Sequence, residues 1–309
     1  MDIYLRAFCR EHSYPAEAEE ALLAALAATE GTPMGDTLTR WVQAYEEAGT
    51  ATDLGEALGA IRATALPEGV SLYTVELLYF ILCSRHLWDL YQQQGIGYEI
   101  FFNSMEDLKY KLQECHTVHG VWGSFVAGWF IGFFTMERFA LGRLQYEEMP
   151  ISAMPSAVNT GWETFTVGEH TLKLTDKVIN VHIPSAGPLL PEDVATSFRM
   201  ATAFFADRFE GYVPFMCSSW LLYSRHREFL PSTSRILQFM DFFTIVADRE
   251  EEDGHNLWRI FGIDEKVHLK DIDLNTLPVD TGLRRAYHAW LSAGNLPGEA
   301  LAFHLETIE

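Results

Sequence analysis

KVINVHIPSAGPLLPED, residues 177–193, sets a strand, a turn and a helix start end to end. Lys177 to Ile183 carries β-branched residues at 178, 179, 181 and 183, which fit a pleated backbone. Pro184 has no amide to give a neighbouring strand, and with Gly187 and Pro188 it makes 184–190 a turn. Pro191 then stands at the first helical position, where a missing N–H costs nothing, and Glu192 and Asp193 suit the positive end of the helix dipole. That helix is expected to reach about Arg208. A strand that feeds a helix through a short loop presents unpaired amides to an anion. The competing reading of the same residues is a plain strand-to-helix turn.

Upstream, RFALGRLQYEE (138–148) alternates apolar and polar residues with a slip at Gly142, which predicts one bulged strand. Met149 to Thr160 reads as a loop. Thr164–Val167 and His170–Leu174 form a hairpin about Gly168-Glu169. Downstream, Val213–Leu222 reads as a strand and Ser224–Leu230 as a short helix. Ile236–Ala247 reads as a strand with a bend, Leu257–Phe261 as a strand, and Pro278–Ala293 as a helix ended by Gly294. Gly298–Ile308 suits a strand or a helix equally. The order β, hairpin, β, α, β, α, β, β describes a mixed, mostly antiparallel sheet, not a doubly wound parallel one.

Before residue 136 the pattern is helical. Glu17–Thr29, Thr37–Ala48, Asp53–Ala63 (Asp53 as cap) and Ser71–Gln94 all carry apolar residues at helical spacing or strong helix formers. Ser104 and Asp107 read as a capping box opening a helix to His116. VWGSFVAGWFIGFF (121–134) is the strongest apolar run, but its 14 residues fall short of the ~20 a membrane span needs. Its glycines predict a buried, closely packed segment. The expectation is an α+β chain with a helical N-terminal domain over 1–135 and an α/β domain over 136–309.

Charge limits the partners. The chain has 22 basic and 43 acidic residues, a net charge of −21, and no basic cluster, which argues against nucleic acid. The four cysteines are widely spaced and read as buried, reduced thiols. The first twelve residues carry charge and no apolar core of a signal sequence, so a cytoplasmic protein without membrane attachment is expected.

The runs LGRLQYE (141–147), INVHIPSAGPL (179–189), SSWLL (218–222) and LPVDTGLRRAYHAWLSAG (277–294) resemble a bacterial family of two-part acyltransferase-like proteins. These have an N-acyltransferase N-terminal region and a GNAT-like C-terminal domain. The resemblance implies acyl-coenzyme A as co-substrate and an amine on a small molecule or peptide as acceptor. One departure stands out. The general GNAT signature for the pyrophosphate, Q/R-x-x-G-x-G/A, falls on Ser185–Leu190, which has one glycine and, at Pro188, one amide fewer. A loop altered in this way also fits a non-catalytic GNAT-like protein that binds a ligand or partner.

Acyl transfer to an amine needs a held thioester, a deprotonated amine and support for the oxyanion. His182, at the strand end before the turn, is the candidate base, set against a structural histidine. Glu147, with Glu148 beside it, ends the neighbouring strand and could act as base through water or bind the amine, set against a solvated carboxylate. Arg143 in the same strand could pair with a carboxylate or a phosphate, set against the default of a surface ion pair. Ser185, Ala186, Gly187 and Leu189 are the cofactor-binding candidates, with Trp220 lining an acyl or pantetheine channel unless it is plain core. Tyr223 follows the strand where GNAT enzymes often place the acid for the leaving thiolate. Cys217 is discounted as a nucleophile, since no neighbouring histidine activates it. His116 and His119 form an H-x-x-H pair lacking a third ligand, so no metal is expected.

Overall fold

The computed structural model describes residues 1–308. It separates into two compact units, Met1–Ala140 and a second from Leu141 onward. The sequence reading set its boundary at 135/136; the contacts divide a few residues later, inside strand β1 (Arg138–Leu141).

The first unit is helical: α1 (Asp2–Glu11), α2 (Ala16–Thr29), α3 (Pro33–Ala48), α4 (Leu54–Ala63), α5 (Leu72–Gln93), α6 (Tyr98–His119) and the short α7 (Ile131–Phe134). Side chains cap the starts as their residue types require. Asp53 accepts from the Glu56 amide at 2.8 Å and Ser71 from the Tyr73 amide at 3.2 Å. Helix α5 is the core of this unit, with every residue from Thr74 to Ser84 buried. Helix α6 begins six residues before the expected Ser104. Ser104 is therefore no cap: it sits inside the helix and donates back to the Ile100 carbonyl at 2.7 Å. In the 121–134 run, a Cβ on Gly123 would lie 2.4 Å from the Tyr73 backbone, so this apolar segment is packed against α5.

In the second unit the strands run β2-β5-β6-β8-β7: β2 (Leu144–Pro150), β5 (Lys177–His182), β6 (Tyr212–Ser219), β7 (Thr244–Glu250) and β8 (Gly298–Thr307). Strands β3 (Thr164–Val167) and β4 (His170–Lys173) form the expected hairpin as a separate two-stranded sheet. All ladders among these strands are antiparallel except β5–β6. RFALGRLQYEE is not one bulged strand. Gly142, at φ +71°, turns the chain between β1 and β2, and it lies against Ser197 and Met200. Within 149–160, the short helix α8 (Pro155–Val158) replaces the expected loop.

Helix α9 (Pro191–Phe205) covers one face of the sheet, with Phe198 against Tyr146 and Phe215. Hairpin β3–β4 covers the other: Phe165, Val167 and Leu172 bury Val178, Met216, Leu301 and Phe303. The remaining helices are α10 (His226–Phe229), α11 (Arg235–Met240), α12 (Leu257–Phe261) and α13 (Gly282–Ser292). Two expectations fail here. Leu257–Phe261 is a helix, buried against Tyr287 and Trp290 of α13, and 236–247 is helix α11 followed by β7. The undecided last segment is β8, which pairs with β6 on one side and β7 on the other.

Candidate active site

Four polar residues meet on one face of the β2–β5 ladder. Gln145 stands opposite His182 and Glu147 opposite Asn180. Side chains alternate along a strand, so residues 145, 147, 180 and 182 share one side of the sheet, away from α9. His182 Nε2 lies 3.1 Å from Glu147 Oε2 and 3.2 Å from the Asn180 amide nitrogen. The imidazole and the carboxylate are 18% and 19% exposed, so reactants can reach them while most of the surrounding water is excluded.

A carboxylate can only accept, so Glu147 fixes the His182 proton on Nε2 and leaves the lone pair on Nδ1. Asn180 and Gln145 went unremarked in the sequence. Both are buried polar residues in strands where apolar ones are the rule, which was the available signal.

The site sits where the sheet opens. Strands β5 and β6 pair in parallel at Ile179–Phe215 and Asn180–Met216, and among the described residues that ladder goes no further. His182 follows the last pair, and residues 184–190 follow His182.

That loop is held by Arg143. Its Nε donates to the Pro188 carbonyl at 3.1 Å, Nη1 to Pro184 at 3.1 Å and Nη2 to Gly187 at 2.7 Å. Arg143 thus binds three backbone carbonyls of the loop. Gly187 has φ +89° and open space where a side chain would be, so ligand atoms can approach its backbone. Ser185, Ala186, Gly187 and Leu189 all lie in this loop, ahead of the α9 N-terminus.

The other candidates lie elsewhere. Glu148 points to the opposite face and bonds Lys177 at 2.7 Å and Arg208 at 3.1 Å. The Lys177 hydrogen bond, aided by Arg208, holds its carboxyl below the ordinary range. Trp220 is not in a strand: β6 ends at Ser219, and the indole packs edge-on to His226 and Tyr287. Tyr223 lies on the β8 side of β6, its ring against Gly298 and its hydroxyl donating to Glu250 at 3.3 Å. Burial raises its pKa. Burial likewise pushes the Cys217 thiol up to about 12, which keeps it protonated and unreactive. In the helical unit His116 stacks on Trp122 at 3.6 Å, and His119 packs against Tyr73 and Phe125.

A parallel strand pair that parts above a loop and a helix N-terminus, within a mostly antiparallel sheet, fits a GNAT-like domain. Family models agree: residues 139–301 match the GNAT-like C-terminal domain and residues 4–136 the N-acyltransferase N-terminal domain. The chain belongs to this family of two-domain N-acyltransferases.

Solved structures share the fold over nearly the whole chain. An acyltransferase in complex with decanoyl-CoA aligns with a TM-score of 0.72 and 21% identity, covering 98% of this chain and 87% of that one. An acyltransferase in complex with decanoyl-CoA and teicoplanin gives 0.70 and 20%, covering 97% and 87%. One in complex with CoA and 10C-teicoplanin gives 0.70 and 20%, covering 98% and 87%. No curated protein matches.

Proposed function

We propose that this protein moves an acyl group from acyl-coenzyme A to an amine of a small molecule or peptide, with His182 as base and Glu147 as its orienting carboxylate. The observation that carries the reading is the His182–Glu147 pair at the parting of β5 and β6, followed directly by the amides of 184–190. An ammonium cannot attack a carbonyl, so a proton must leave first, and a histidine with Nδ1 as its basic nitrogen can take it near neutral pH. The amine nitrogen then bonds to the acyl carbon and the C–S bond breaks. The thiolate leaves and recovers the proton from the imidazolium, and the second amine proton passes to solvent as the amide forms. Coenzyme A's diphosphate would lie on the amides of Ser185, Ala186, Gly187 and Leu189. An acyl-coenzyme A donor places the reaction in the cytoplasm.

The similar structures hold decanoyl-CoA and teicoplanin, so decanoyl-coenzyme A and glycopeptide amines are the first donor and acceptors to try. Free thiol released from decanoyl-coenzyme A should rise when a suitable amine is added. The substitution His182→Ala should cut that rate by roughly 10²–10⁴-fold, the usual span for a lost general base, without lowering the melting temperature. An alanine variant with full activity would remove His182 from the reaction.

A second reading, a binding protein without catalysis, draws on Pro188, which lacks an amide, and on Glu192 and Asp193 in the first turn of α9, whose charges oppose a diphosphate. It predicts that coenzyme A does not bind and that no amine releases thiol.

A further inference from the structure

We infer that Arg143 is the positioning residue of the diphosphate loop: by binding the carbonyls of Pro184, Gly187 and Pro188 it turns the loop's amides outward, the task that glycines perform in the usual signature. This inference rests on the acyl-coenzyme A reading above.

The argument starts from the peptide plane. In a trans peptide the C=O and the N–H of the same unit point in opposite directions, and the described residues contain no cis bond. The Pro188 carbonyl points at the Arg143 guanidinium, so the Leu189 N–H of the same plane points away from it. The Pro184 carbonyl points there too, which sends the Ser185 N–H the same way. The Gly187 carbonyl belongs to the plane that ends in Pro188, where there is no N–H to lose. One side chain therefore gathers three carbonyls on one side of the loop and sends the Ser185 and Leu189 N–H groups to the other, and a side chain at Gly187 would meet nothing within 4 Å.

Arg143 is itself held in place. It follows Gly142 in the turn before β2, and Ser197 of α9 fixes both ends of that turn. Ser197 accepts from the Leu144 amide at 3.0 Å and donates to the Leu141 carbonyl. Helix α9 begins directly after the loop, so the guanidinium, the loop and the helix start form one closed frame. The guanidinium meets the three carbonyls from three separate nitrogens in a fixed plane, whereas an ammonium would have to reach all three from a single nitrogen. The cation also offsets the Glu192 and Asp193 charges near the expected phosphates.

The test is calorimetry on the full chain with two probes, coenzyme A and pantetheine, the second of which has no diphosphate. Wild type should bind coenzyme A. Arg143→Gln should bind it at least tenfold more weakly, bind pantetheine as wild type does, and melt at the wild-type temperature without ligand. Should the glutamine variant melt earlier, Arg143→Lys supplies the comparison: it keeps the charge but reaches fewer carbonyls, and should still lose several-fold toward coenzyme A alone. Equal weakening toward both probes would make Arg143 merely structural. Wild-type affinity for coenzyme A in both variants would overturn the inference while leaving the acyl-transfer reading intact. A wild type that binds no coenzyme A would overturn both.

Discussion

Two histidines of the second unit show how environment divides one residue type into different tasks. His182 is partly exposed and paired to Glu147, which in the proposed reaction would fix its tautomer and steady the imidazolium. Glu147→Gln keeps the shape and removes the charge, so turnover should fall by about 10²-fold or more, while the affinity for coenzyme A is unchanged. Steady-state rates beside calorimetry check this, and an unaltered rate would disprove it. His226 is the opposite case. It is fully buried against Tyr287, and burial holds its pKa down to about 4 from an ordinary 6.5. The folded protein keeps this ring neutral where the unfolded chain would protonate it. Its contribution is therefore complete above about pH 6.5 and is lost as pH falls toward about 4. The span corresponds to about 3 kcal/mol. Melting temperatures measured between pH 7 and 4 should fall for wild type, and less steeply for His226→Gln. Parallel curves would show that another group sets the acid limit.

Among the elements, α9 joins the site to the core. Phe198 packs on Tyr146, Phe215 and His304, and Ser197 ties the start of β2. Phe198→Ala should cost about 3–5 kcal/mol, read as a lower denaturant midpoint. A loss under 1 kcal/mol would mean that α9 is not anchored through this ring. In the helical unit, Gly123→Ala drives a methyl group into the Tyr73 backbone and should cost about 1–3 kcal/mol; an unchanged midpoint would contradict that packing.

How far the sequence reveals these elements depends on length and capping. Helix α4 is legible from Asp53 and its apolar spacing, and β5 from its β-branched run. Leu257–Phe261 is not, because five mainly apolar residues satisfy strand and helix alike; burial against α13 makes the choice. Ser104 resembles a cap because capping residues and residues that bond back inside a helix are of the same kinds. His182 stands at its strand end as expected, whereas Glu147 lies in the middle of β2 and not at its end, because the strand runs on to Pro150. The task of Arg143 could not be named, since its partners are carbonyls, and those have no letter in a sequence.

The molecule as a whole consists of two units, each with its own buried core, and family models cover both. No helix among the described residues is long and apolar enough to cross a membrane. The net charge of −21 sets a repulsive field for an anionic donor. Screening should relieve it, so the association rate of coenzyme A should rise, by about twofold or more, as salt goes from low to physiological ionic strength. Stopped-flow mixing would show this, and a rate that falls with salt would mean that a local positive field governs approach. The most direct measurement is a crystal structure of the protein with decanoyl-coenzyme A. The diphosphate should lie on the Ser185, Ala186, Gly187 and Leu189 amides, with the thioester between β5 and β6 beside His182. A donor bound elsewhere, or side chains closing the 184–190 loop against phosphate, would contradict the account.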